Sequence, residues 1–188
     1  VATYDEIKSF IVNFDEKVQF SSLQLLVDTR KSTEEFNDEE IECIYYFYES
    51  NINIQNPSIR QSIIGMTKKF FERLNNLIKV HRRKNEEDKI TKIFEICVKF
   101  QDFAINNLQD GSNHSRRMLS LKMLVNVLEV VKSNFSSESA TLWNENKFNS
   151  VFNMFYDSYE ANKATTLEAM NFIPRDEVMK FSNLTPEH

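Results

Sequence analysis

The sequence predicts an all-α fold, a right-handed α-solenoid of about four HEAT/armadillo-like helix pairs, and three observations carry that prediction. Glycine and proline are scarce, with 2 Gly and 3 Pro in 188 residues against average usage of about 7% and 5%, so the turn chemistry of a β-rich fold is missing. Apolar residues recur at three- and four-residue steps through most of the chain, the spacing of one helical face. Four blocks also resemble one another: DEKVQFSSLQLLVD from Asp15, NPSIRQSIIGMTKK from Asn56, NHSRRMLSLKMLVN from Asn113 and EANKATTLEAMNFI from Glu160. Each has a polar opener, a basic or amide residue about one turn later, and an aliphatic face. Their starts lie 41, 57 and 47 residues apart, and HEAT and armadillo units run about 40–47, so the 57 implies an insertion. A closed helical bundle would present the same faces; the period favours the stacked arrangement. The pairs are read as 3–30, 37–80, 88–133 and 143–173, within a single solenoid segment over 1–188. A start at Val1 without methionine and a stop at Pro186-Glu187-His188 are read as the ends of a piece of a larger protein.

Taken in order, Tyr4, Ile7, Phe10, Ile11 and Phe14 form a short amphipathic helix, with Thr3 as its cap and acids in its first turn. Asp15 caps a second helix whose apolar positions include Val18, Leu23, Leu25 and Leu26. KSTEEF is polar and expected as a loop. Asn37 and Glu40 have capping-box spacing and open a third helix with Ile41, Ile44, Tyr45, Phe47 and Tyr48 inward. Asn56 is an N-cap, and Pro57 sits where its missing N–H costs nothing. Ile59, Ile63, Met66, Phe70, Leu74 and Leu77 then mark one face. With Ile64, Phe71 and Ile78 that arc widens to about 160°, too wide for a two-stranded seam.

The run VHRRKNEEDK from Val80 to Lys89 is charged and lacks apolar periodicity. It is expected as an exposed loop or frayed helix end, and as the place of the insertion. Ile90, Ile93, Phe94, Cys97, Phe100, Phe103 and Ala104 restart the helical period. Asp110 to Asn113 is a turn, with Gly111 suited to a left-handed position. Met118, Leu121, Leu124, Val125, Leu128 and Val131 form the face of the next helix, and SNFSSESAT is a loop. A last helix pair follows Trp143, and Pro174 is expected to end it.

Little here suits catalysis. Gly65 and Gly111 stand 46 residues apart, so neither a phosphate-cradling loop nor a dinucleotide fingerprint is present, and no cofactor is implied. His81, His114 and His188 lack ligand spacing and are expected as surface residues, with no metal. Cys43 and Cys97 fall on apolar helical faces as small hydrophobes, and suit a reducing compartment. Acid pairs such as Glu34-Glu35 sit at loop–helix junctions, where solvation and capping explain them. No run approaches the length of a membrane span and no signal-peptide pattern opens the chain. The chain is read as non-catalytic, cytoplasmic and not inserted in a membrane.

Charge is unevenly spread. Between Lys68 and Lys92 nine basic residues face four acids, a net +5 in a chain of net −5. A solvated charge run accounts for this segment; a phosphate-binding ridge is the functional alternative. The candidate phosphate contacts are Lys69, Arg73, Arg82, Arg83 and Lys84, with Arg116 and Arg117 at the opening of the next block.

An ordered series of segments resembles the thyroid adenoma-associated protein (THADA) family. The block from Leu23 to Leu74 carries RKSTE, then NIQNPSIRQ, then KKFFERL. HSRRMLSLKMLVNVLEV and KFNSVFNMFYDSYEANKATTLEAMNFI continue the match in the same order, so it spans roughly Asp15 to Ile173. The resemblance implies a very large cytosolic α-solenoid. It further implies a non-catalytic partner of a ribose 2′-O-methyltransferase that modifies the anticodon loop of tRNA. A protein–protein scaffold without an RNA role, serving transport or regulation of a membrane pump, is the other reading of the same architecture.

Overall fold

The computed structural model describes residues 4–11, 13, 15–28, 31, 33–109 and 111–182, and among these there are helices and no strand. The elements are α1 (Tyr4–Ile11), α2 (Glu16–Asp28), α3 (Asp38–Asn51), α4 (Pro57–Lys84), α5 (Glu87–Asn106), α6 (His114–Asn134), α7 (Glu145–Phe152), α8 (Glu160–Met170) and α9 (Arg175–Ser182). Short 3-10 turns cover Ser139–Leu142 and Asn153–Tyr156. The expected cap Thr3, the apolar Phe14 and the turn residue Asp110 lie outside the described residues.

Helix starts follow local side-chain chemistry. Asn37 and Glu40 close a reciprocal capping box, with Glu40 N–H donating to Asn37 Oδ1 at 2.8 Å and Asn37 N–H to Glu40 Oε2 at 2.9 Å. Asn56 Oδ1 accepts from the N–H groups of Ser58 and Ile59, with Pro57 at the first helical position. Asp15, Asn113 and Asn144 cap α2, α6 and α7 in the same way. The openers of the four sequence blocks thus stand at the starts of α2, α4, α6 and α8, the second helix of each pair.

The chain divides into two compact units, 1–90 and 91–188. In the first, α1 packs on α2 and α3, and α2 on α4. First helix meets first helix and second meets second, the contact pattern of stacked pairs. The α4 arc points inward as its period requires: Ile63, Phe70, Phe71, Leu74 and Ile78 are all essentially inaccessible. Tyr48 ties α3 to α4 through a 2.8 Å bond between its hydroxyl and Thr67 Oγ1, and burial pushes the phenol well above its usual range. Not every apolar residue of the first pair turns inward, since Phe10 and Leu25 are exposed and Val27 is buried instead. In the second unit α6 packs on α8, and α7 on both α8 and α9. Phe94 of α5 meets Phe135, just beyond α6, with ring centroids 4.9 Å apart.

Three expectations are corrected. VHRRKNEEDK is not a loop: α4 runs through Lys84, and only Asn85 and Glu86 separate it from α5. Asn85 adopts the left-handed conformation at φ 57, and Glu86 N–H caps the His81 carbonyl at 3.0 Å. The long 57-residue spacing is therefore taken up by long helices, 28 residues in α4 and 20 in α5. His81 is not a surface residue but is 2% exposed. Pro174 ends one helix and starts another, because its carbonyl accepts from Val178 N–H at 3.1 Å in the first turn of α9.

Phe70 lies on the buried arc, and its sequence neighbour Lys69 lies on the exposed flank. Phe70→Ala should lower stability by about 3–5 kcal/mol, the usual range for an aromatic truncated in a core. Lys69→Ala should cost at most about 1 kcal/mol, because its exposed pair with Asp28 is screened by water. Urea melts of both variants check the helical phase; equal losses would overturn it.

Candidate nucleic-acid interface

α4 presents its charge on the side away from the arc. Lys68, Lys79 and Arg83 are exposed and follow each other by 11 and 4 residues, which places them within about 60° of one another on the helix. Arg82 and Lys84 are exposed in the same last turn. At 1.5 Å rise per residue, Lys79 and Arg83 stand about 6 Å apart along the axis. Basic side chains in this turn also complement the negative end of the helix dipole.

Two of the sequence-level candidates are committed elsewhere. Arg73 is only 4% exposed. Its Nε donates to the Glu34 carbonyl at 3.1 Å and Nη2 to the same oxygen, while Nη1 reaches the Val27 carbonyl at 3.5 Å. Its guanidinium also lies 4.0 Å from the centre of the Phe36 ring, which in turn packs edge-on against Phe70. Arg73 is thus the clamp that holds the α2–α3 connection on α4, and it is withdrawn from the phosphate set. Lys69 Nζ bonds both carboxylate oxygens of Asp28 at 2.9 Å, so its charge is already balanced on α2.

Beneath the basic turn lies a cluster absent from the sequence reading. His81 Nδ1 is 2.7 Å from Glu86 Oε2, and its Nε2 is 4.0 Å from Glu35 Oε1. Lys89 Nζ meets Glu35 Oε1 at 2.7 Å and Glu86 Oε1 at 3.5 Å. The imidazole bond, helped by Lys89, holds the Glu86 carboxyl below its ordinary range. The hydrogen bond to Glu35 raises Lys89. The signal for both buried polar residues is periodicity: Arg73 is three beyond Phe70 and four before Leu77, while His81 is four beyond Leu77. Both therefore fall on the apolar arc.

Arg116 and Arg117 belong to the second unit. Arg116 Nε donates to Asn107 Oδ1 at 2.7 Å. Arg117 Nε donates to Asp157 Oδ2 at 2.6 Å, its Nη2 to Asp157 Oδ1 at 3.3 Å, and its Nη1 to the Ser112 carbonyl. The Asp157 side chain is fully enclosed. Its burial would raise the carboxyl, but the bonds from Arg117, Asn162 Nδ2 and Tyr159 N–H outweigh burial and hold it at about 2. Beside them, His114 stacks on Tyr159 with centroids 3.7 Å apart. This network fastens the start of α6 to the turn before α8, and it uses Arg117 as a strut.

The chain also offers no activated thiol among the described residues. Cys43 and Cys97 are buried and not joined in a disulfide, and burial pushes the Cys97 thiol up to about 12.

The family model described as Trm732, TPR repeats, matches residues 2–161. The chain belongs to the Trm732 TPR-repeat family. This match runs from α1 to the opening of α8, so the Trm732 repeats cover the α2–α4 and α6–α8 second helices or their starts. The second helices begin 41, 57 and 46 residues apart, longer than the about 34 of a standard TPR unit. Among curated relatives, the chain is similar to the tRNA (32-2′-O)-methyltransferase regulator THADA of Gallus gallus, 31% identical over 143 residues, 67% of this chain and 7% of the relative. The Homo sapiens protein of the same name is 29% identical over 140 residues, 66% and 7% of the two chains. The Drosophila melanogaster one is 24% identical over 169 residues, 88% and 9%. The chain therefore spans less than a tenth of the length of these relatives. No solved structure matches it.

The strut gives a pH signature. An aspartate held at about 2, against an ordinary 3.8, contributes stability that is complete above about pH 4 and is lost as pH falls toward 2. By linkage that contribution is about 2 kcal/mol. Asp157→Asn should remove this acid-side slope and, by taking the negative charge from beside Arg117, cost about 3 kcal/mol at neutral pH. Denaturant melts at pH 7, 4 and 3 read both effects.

Proposed function

We propose that this Trm732-family segment is a non-catalytic, cytoplasmic scaffold in tRNA ribose 2′-O-methylation of the anticodon loop. In this reading a separate methyltransferase subunit brings the cofactor and the chemistry. The segment supplies a rigid helical support whose outward basic turn on α4 contacts RNA backbone phosphate. The observation that carries it is the grouping of Lys79, Arg82, Arg83 and Lys84 on the exposed end of a helix anchored on its other side by His81 and Arg73. Agreement with the printed names of the THADA relatives, each a regulator of a tRNA methyltransferase, supports the choice of RNA as the partner. Arginine fits the role because its planar fork stays charged and can hold a phosphate bidentately. Such contacts position RNA without reading its bases.

The test uses the full-length protein with its methyltransferase partner. Arg82→Gln with Arg83→Gln removes two charges without placing acids at a helix C-terminus, where they would oppose the dipole. Affinity for tRNA should fall about tenfold or more, at least about 1.4 kcal/mol. The salt dependence of binding should become shallower by about 1.4 in logarithmic slope, roughly 0.7 for each lost phosphate contact. The melting temperature should stay within about 1 °C, since exposed substitutions of this kind change stability by less than about 0.5 kcal/mol. Unaltered tRNA affinity together with unaltered methylation would reject the RNA contact and return the segment to a protein–protein scaffold.

A further inference from the structure

The connection before α3 and the turn between α4 and α5 converge on one buried imidazole. We infer that Glu35, His81 and Glu86 form a binding site for a divalent transition-metal ion, Zn²⁺ by preference, with the ammonium of Lys89 as its built-in competitor. One ligand atom from each of the three residues lies within 4.8 Å of the others. A four-coordinate ion with bonds of about 2.0–2.1 Å holds its ligands roughly 3.3 Å apart. A contraction of at most about 1.5 Å, within the reach of two glutamate side chains, is enough to close the set. An imidazole with two carboxylates is a borderline donor set, suited to zinc and poorly matched to magnesium, which prefers oxygen alone.

The backbone holds the donors in place. Asn85 in its left-handed conformation reverses the chain, and Glu86 N–H bonds the His81 carbonyl, which folds the Glu86 carboxylate onto the ring. His81 itself is enclosed, with its side chain 3% exposed, whereas those of Glu35 and Glu86 are 47% and 32% exposed. That asymmetry provides a fixed imidazole at the base and a path from solvent at the mouth. Lys89 marks the position of the cation, since its Nζ already sits between the two carboxylates at 2.7 and 3.5 Å. A metal ion entering there displaces an exposed, flexible ammonium that can turn into water. It gains a second positive charge between two carboxylates and adds a bond to the imidazole. The bound ion would staple the α2–α3 connection to the α4–α5 turn, directly beneath the basic end of α4.

The test is a titration of the chelator-treated full chain with ZnCl₂, read by calorimetry and by thermal melting, with MgCl₂ as the contrast. One equivalent of Zn²⁺ should bind and raise the melting temperature, and Mg²⁺ should do neither. The Glu35→Gln, Glu86→Gln double variant should weaken Zn²⁺ binding at least about tenfold. Both side chains reach solvent, so this variant keeps the core intact, which circular dichroism verifies. Lys89→Met removes the competitor and should tighten Zn²⁺ binding about tenfold, a gain that no structural damage can imitate. Absence of binding in both the parent chain and Lys89→Met overturns the site. So does an affinity unchanged in the double glutamine variant, which would locate zinc at other histidines or thiols.

Discussion

The inward face of α4 is wider than any single neighbouring helix can cover, and unit 1 is arranged around that fact. Ile63, Phe70, Phe71 and Leu74 need partners on more than one side. α2 lies on one flank, Tyr48 of α3 reaches Thr67 within the helix, and Phe36 of the preceding connection closes over Phe70. Burial of each such aromatic or aliphatic side chain is worth about 1.5–3 kcal/mol. An isolated helix pair could not collect it. Stacking second helix upon second helix does, and the same relation recurs between α6 and α8 in the other unit.

Polar groups set inside these faces convert a greasy contact into a specific one. Arg73 reaches the carbonyls of Val27 and Glu34, and Arg117 reaches Asp157. Each crosses from one helix to a connection about 40 residues away in the chain. A slipped register would leave a buried guanidinium or carboxylate without its partner, at a cost of several kcal/mol. Leucine could slide by one turn and still be covered; these residues could not.

That division of labour leaves the outer surface to carry function. Thiols are buried, and the two arginines used as clamp and strut lie within or between elements. A run of three exposed basic residues, Arg82 to Lys84, closes the last turn of α4, where it complements the helix dipole just before the left-handed Asn85. A scaffold needs such a display to be rigid, because ordering long basic side chains on a mobile loop would consume part of the binding energy. The helical continuation through Val80 to Lys84 matters for this reason: a basic loop and a basic helix end have the same composition but different entropic costs.

Residues acting on their own helical turn were legible one at a time. Asn37 with Glu40, and Asn56 with Pro57, announce helix starts because a cap is satisfied by atoms two or three residues away. The apolar steps from Ile63 to Ile78 announce a buried face, and the spacing of the four polar openers announces repetition. Counting only apolar residues hid the rest. Arg73 and His81 occupy arc positions, yet their chemistry suggested the surface; Arg73 is buried against carbonyls brought from Val27 and Glu34, and His81 against the Glu86 carboxylate that the turn at Asn85 folds back, with Glu35 on its other side. The same holds for Arg117, whose partner Asp157 is 40 residues away. α9 escaped for a local reason, since Pro174 stops a helix through its own ring but starts the next with its carbonyl. Periodicity and capping are short-range and can be read along the chain. Whether a charged side chain is a ligand or a structural strut is decided by desolvation and by which distant groups meet it, and only the tertiary structure brings those groups together.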